Sequence, residues 1–230
     1  MNEAIEKGRE VALGILNPSQ QELDRGLALH RESLVVESYS LGLSAPVDGD
    51  SIAAAIESGA TERELQDLSE NQSMTRWATV PELSAEFEAV WEASGVTCSF
   101  QNAGEEGNDP PVLMKRLARH TFVTDMMPNL MRRAVRPEDI EDAKNEGKHC
   151  RYMTGNGIPL AGDQRSPDEE VRFIRVFFQL GIRMMHLTYN RRNPIGDGCG
   201  DPANAGLSDF GRAVVKEMNR VGVMIDIAHT

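Results

Sequence analysis

Cysteine is scarce in this chain, and its placement excludes two classes of protein. Cys98, Cys150 and Cys199 are an odd, widely spaced set. They form neither a disulfide framework nor a CxxC zinc pattern, and reduced thiols in a cytoplasmic protein fit them best. Long apolar runs are missing too. No stretch approaches the length of a membrane span, and the charged start MNEAIEKGRE has no apolar core of the kind a signal peptide needs. Positive charge is in deficit: 24 Lys and Arg stand against 36 Asp and Glu, a formal net charge of -12. That disfavours nucleic-acid phosphate and anionic membrane surfaces as partners. There is no G-x-S-x-G nucleophile elbow. The glycine-rich run Gly196–Gly200 lacks the lysine of a phosphate-binding loop and reads as a turn. No internal repeat or low-complexity tract occurs.

What is present is a chain of 230 residues, 40% hydrophobic, which is enough for one globular domain with a large core. Two helix candidates come first, Met1–Leu16 and a second opened by a capping box of Ser19 with Glu22. They precede the first strand, so residues 1–33 are expected as a helical flap outside a single barrel-like unit at 34–230. Five strands follow: Leu34–Ser40, Val96–Phe100, His149–Thr154, Met184–Tyr189 and Val223–His229. Helix patterns separate them. Val112–Arg133 reads as one helical stretch kinked or divided at Pro128. Ser166-Pro167-Asp168-Glu169 is the clearest helix start, with a cap, a proline in the first turn and a glutamate to close a capping box. Ser208 caps a helix from Asp209 to Asn219, and Gly222 ends it. Strand alternating with helix predicts a parallel sheet covered on its outside by helices. In such units the outgoing strand ends carry the chemistry.

The stretches LGIRMMHLTYNRRNPIGDGCGD and GLSDFGRAVVKEMNRVGVMIDIAH, with RPEDIEDAKNEGK and LHRESLVVESYS upstream, resemble the membrane (renal) dipeptidase family of metallopeptidases. The resemblance covers most of Leu27–Thr230. It implies an α/β fold, the first five units or so of a TIM-like (β/α)8 barrel, and hydrolysis of dipeptides or related small amides by two bridged zinc ions. It also places the family's functional positions. The His-x-Asp pair of the first strand falls on Tyr39 and Leu41, the bridging glutamate on Gly155, and the histidine of Leu-Thr-His-Asn on Tyr189. His229 alone keeps the family residue. Leucine and glycine cannot ligate a metal, phenol is a poor zinc ligand, and one imidazole does not make a zinc site.

Strand alternation adds expectations of its own. Glu37, Tyr39 and Leu41 share a face, and Glu37 is a further candidate, as a strand carboxylate in need of a partner. His186 turns away from Tyr189, and Asp226 away from His229. Asp197 and Asp201 read as turn residues, and Cys199 as an exposed thiol without a histidine to activate it. Two functions follow. One is a metallodipeptidase homologue with an altered site, acting on a small dipeptide-like substrate. The other, favoured by the replaced ligands, is a catalytically silent relative or gene fragment that binds a small ligand or a protein and holds no zinc tightly. A sheet of five strands ending on the fifth also leaves open edges, which invite self-association.

Overall fold

Caps written into the sequence start most of the helices. The structure is a computed structural model that describes residues 3–104, 109–160 and 166–230. Helix α1 spans Glu3–Leu16 and α2 spans Gln20–Glu32, the latter opened by the complete Ser19–Glu22 capping box. Strand β1 is Val36–Ser40. Helices α3 (Gly49–Glu57), α4 (Glu62–Thr79) and α5 (Pro81–Ser94) follow, and α4 carries a second capping box, from Thr61 to Glu64. Then come β2 (Cys98–Asn102), α6 (Pro110–Met126) and β3 (Met131–Ala134). Helix α7 (Glu138–Asn145), β4 (His149–Gly155) and α8 (Pro167–Gln179) continue the alternation. At the start of α8 the Ser166 side chain accepts from Glu169 N. The chain closes with β5 (Met184–His186), α9 (Asp209–Val221) and β6 (Met224–Asp226). The loops expected around 102–111 and 155–164 lie partly outside the described residues.

All strand pairs are parallel, and the path β1-β2-β4-β5-β6 contains the five strands read from the sequence. A sixth strand, β3, lies off that path and pairs with β4. The long helix expected over Val112–Arg133 therefore ends at Met126, and its tail is strand. Pro128 bars the residue before it from helical backbone, and Met127 sits at φ −118°, ψ 54°. Pairing with β4 then decides the state of Met-Arg-Arg-Ala, whose own strand preference is weak.

Where β3 lies has a consequence for the layers. Backbone bonds alternate between the edges of β4. Cys150 N donates to Thr97 O on the β2 side, and His149 N donates to Leu130 O on the other. Arg183 N, at the start of β5, donates to Met153 O on that same second edge. β3 thus flanks the first half of β4, and β5 flanks its end. The chain steps from β2 past the place of β4 to β3, then back. Right-handed crossovers in opposite directions put their helices on opposite faces. Accordingly Met153 and Met185 pack with Leu113 and Leu117 of α6, Ile174 and Phe177 of α8, and Val214 and Met218 of α9. Cys98, Cys150 and Ala134 pack instead with Ala143 of α7 on the other face. The expectation that helices cover only the outside is corrected at α7. It occupies the N-terminal half of the inner face and leaves the C-terminal half to other residues. A third cluster, with Trp77, Phe87 and Trp91 at its centre, joins α4 and α5 to Val123, Leu130 and Met131.

Candidate functional site

Because the strands run parallel, their C-terminal ends lie on one side of the sheet. The inner face there carries Asn102, Thr154, His186 and Asp226, the residues in line with Cys98 and Cys150 along each strand. His186 and Asp226 are register partners, and their side chains meet, Nε2 to Oδ2 at 2.7 Å. His186 is 1% exposed. Burial pushes its imidazole below the ordinary value against the pull of Asp226, and His229 nearby pushes the same way. Its Nδ1 has no hydrogen-bond partner among the described residues.

Around His186 stand three more rings. Tyr39 is 6.0 Å away between centroids, Tyr189 is 6.2 Å away and His229 is 5.6 Å away. Tyr189 and His229 stack on each other at 4.1 Å with 21° between planes. Two alternation-based expectations are therefore corrected. His186 does not turn away from the Tyr189 side, and Asp226 belongs to the same cluster as His229. β5 ends at His186 and β6 at Asp226, so strand alternation does not reach Tyr189 or His229. His229 sits at φ 65° and Asn190 at φ 60°, conformations that re-aim the chain.

The loop after β5 fixes His229 from the other side. Asn190 Oδ1 lies 2.7 Å from His229 Nδ1 and accepts from Cys199 Sγ at 3.4 Å. Cys199 N donates to His229 O at 2.9 Å, a main-chain bond, and the contact of the thiol itself is with Asn190. The aspartates of the loop do turn work. Asp201 Oδ2 accepts from Gly198 N, and Asp197 Oδ2 accepts from Ala205 N. Asp197 also pairs with Arg192, whose hydrogen bond holds the carboxyl below its usual range.

On the β1 side, Tyr39 Oη donates to Asn156 Oδ1 at 3.2 Å, and Asn102 Nδ2 donates to the same oxygen. Asn156, just past β4, is thus the residue that reaches the cluster. Gly155 is not placed to do so: a Cβ there would point at Ile182 and Met185, toward the helix-covered side. Glu37 is exposed, which removes its need for a buried partner. It faces the side of Ser99, its register partner, and a register shift between Glu37 and Ser40 breaks the alternation expected along β1. Leu41, 70% exposed, lines an open groove of about 600 Å³ with Glu37, Trp91 and Val96. Of Glu37, Tyr39 and Leu41, it is Tyr39 that reaches the imidazoles. The signal for Asn102, Asn156, His186 and Asp226 was each residue's place at a strand end.

Among the described residues no three His, Cys, Asp or Glu side chains are grouped so as to hold a metal ion. His186 and Asp226 are bonded to each other, and His229 is bonded to Asn190.

The model of the membrane dipeptidase family, peptidase family M19, matches residues 58–230. The chain belongs to the membrane dipeptidase family. Among relatives of this chain is dipeptidase tcpJ of Claviceps purpurea, 28% identical over 109 residues, which are 46% of this chain and 24% of that protein. Among solved structures, the probable dipeptidase PvdM from Pseudomonas aeruginosa superposes with a TM-score of 0.61 at 18% identity, covering 92% of this chain and 50% of that one. An amidohydrolase from Pseudomonas aeruginosa gives a TM-score of 0.59 at 22% identity, covering 88% and 48%. The dipeptidase-family chain thus spans about half the length of these solved chains and a quarter of tcpJ. The structural likeness carries the fold: an α/β, parallel-stranded half-barrel. No helix among the described residues is long and apolar enough to cross a membrane.

Proposed function

We propose that this membrane-dipeptidase relative binds a small peptide-like ligand at its strand ends without the family's pair of zinc ions. One observation carries the reading. At the strand ends where the resemblance puts metal ligands, Tyr189 lies flat on His229 at 4.1 Å, and Tyr39 bonds to an asparagine. Catalytic zinc takes about three protein ligands. His186 Nε2 is engaged with Asp226 and His229 Nδ1 with Asn190, and Leu41 and Gly155 bring no donor. The polar groups that remain suit a peptide better than a cation. Asn102, Asn156 and Tyr39 match amide chemistry, and the stacked rings offer flat apolar faces. The peptide-like class comes from the family, whose relatives are dipeptidases.

The test is elemental analysis after equilibration with zinc and dialysis, run beside hydrolysis assays on a panel of dipeptides and calorimetric binding of the same panel. The expected result is less than one retained zinc per chain, no turnover, and saturable binding of at least one dipeptide. Two tightly held zinc equivalents with turnover would overturn it in favour of the second reading, metal-dependent dipeptide hydrolysis, which family membership supports. The proposal includes residues 1–33 as a helical flap beside a unit at 34–230, a cytoplasmic setting, and self-association through the outer edges of β1 and β6. Sizing chromatography of the chain, with mass detection, checks the last of these.

A further inference from the structure

The helix-covered side of the sheet, opposite the ring cluster, holds a charge with no counter-charge among the described residues. Arg151 points from the middle of β4 into the layer between sheet and helices and is 3% exposed. Its guanidinium lies 5.5 Å over the ring of Phe87, and Nη1 donates to His120 O at a long 3.4 Å. Among the described residues its Nε–H has no partner. The neighbouring cations are all matched: Arg116 with Glu70, Arg119 with Asp67 and Glu70, and Arg133, the register partner on β3, with Asp125. Among the described residues no carboxylate lies within ion-pair distance of Arg151.

Two more buried polar groups lie on the elements beside it, β2 and α5. Among the described residues Ser99 Oγ has no partner, and Ser99 is the register neighbour of Arg151 on β2. Trp91 Nε1–H has none either, and Trp91 packs edge-on to Phe87, the ring beneath the guanidinium. All three unpaired groups can donate a hydrogen bond. A buried charge is stable only when paired, and a buried donor only when bonded. Burial lowers Arg151 to about 10, which still leaves it protonated at neutral pH. Its field shows at His120, which burial, together with Arg151, holds well below the ordinary imidazole value.

From this geometry we infer that Arg151, with Ser99 and Trp91, forms an internal site for a small monovalent anion of the size of chloride, lodged between β2, β4 and α5. An anion satisfies both requirements at once: it accepts from the donors and cancels the charge. A water molecule would do only the first.

The experiment is thermal melting of the whole chain at constant ionic strength, with sodium gluconate replaced stepwise by sodium chloride or sodium bromide. An ion that binds only the folded state raises its stability by mass action. At halide about tenfold above its dissociation constant, the wild type is expected to gain on the order of 3 °C in Tm. Arg151→Met, which keeps the bulk and removes the charge, is expected to gain nothing from halide. A halide-independent wild type, or the same dependence in both proteins, overturns the site. Should Arg151→Met fail to fold, bromide anomalous scattering from wild-type crystals decides. A peak within hydrogen-bond distance of Arg151 Nε supports the site, and a water molecule there refutes it.

Discussion

Replacing Gly198 with alanine adds one methyl group where backbone already stands. A Cβ at 198 would lie 2.3 Å from Asn190 C, 2.5 Å from Arg191 N and 2.6 Å from Asn190 O. Main-chain atoms cannot swing aside as a side-chain tip can. The Asn190–Arg191 peptide must therefore shift by about 1 Å to restore van der Waals contact. That shift pulls Asn190 Oδ1 off His229 Nδ1, now 2.7 Å apart, and Asn190 O off Gly200 N, now at 2.9 Å. Overpacking of this kind costs about 1–3 kcal/mol, and each lost hydrogen bond adds about 1 kcal/mol. A total of about 3–5 kcal/mol corresponds, for a chain of this size, to a Tm lower by roughly 6–20 °C. Urea and thermal melts measure the loss, and the ring signals of His229 in an NMR spectrum report whether its clamp has opened. Gly26→Ala is the control. It lies inside α2 with nothing within 4 Å of its Cβ, so alanine there is expected to stabilise by up to about 1 kcal/mol. If Gly198→Ala melts with the wild type and leaves the His229 signals in place, the loop does not close over Asn190 as described.

Phe87→Ala is expected to cost roughly 3–5 kcal/mol, because Phe87 is fully buried between Trp77 and Trp91 at 5.2 and 6.1 Å; denaturant melts measure it. Ser208→Ala removes both the cap on Gly211 N at 2.9 Å and the bond to Pro194 O at 2.6 Å, a loss of about 1–2 kcal/mol by the same assay. For Glu70 the sign is worked from its depressed value: the hydrogen bond from Arg116 holds the carboxyl below its ordinary 4.5. The ionised form is favoured in the folded state. The stability it contributes is present above pH 4.5 and is lost as pH falls through the depressed value. Glu70→Gln is therefore expected to be less stable than wild type at pH 7 and to draw level in acid. A gap that persists unchanged at low pH would show that the loss is one of packing.

Much of the fold could be read from short signals with a local cause. Ser19 with Glu22, Pro167 behind Ser166, and Ser208 ahead of Gly222 mark helix ends through hydrogen bonds and dihedrals that a few neighbouring residues determine. The five path strands were legible because they are apolar runs between such marks. β3 was not, because Met131–Ala134 carries two arginines and becomes a strand only when β4 arrives beside it. The site was legible as a place and less so as a set of side chains. Tyr39, Tyr189 and His229 were foreseen at the strand ends. Asn156 was passed over for Gly155 because one residue of offset exchanges the two faces of a strand. His186 and Asp226 were assigned to the wrong side because alternation was carried past the last paired residue, where positive φ at Asn190 and His229 takes over.

The place of β4 between β2 and β3 also sets an order of events. Strands β2 and β3 follow each other along the chain, yet β3 waits for a strand made after both, as Met131 pairs with His149, and β2 gains its second partner only from that same strand, as Cys98 pairs with Cys150. A growing chain that has emerged only as far as Ala134 has β1 and β2 to pair and a third strand with no seat. The arrival of His149–Gly155 closes two ladders at once and brings α7 down on the inner face in the same step. Assembly of this sheet is therefore gated by one late segment, and slow, non-local strand pairing is the expected bottleneck.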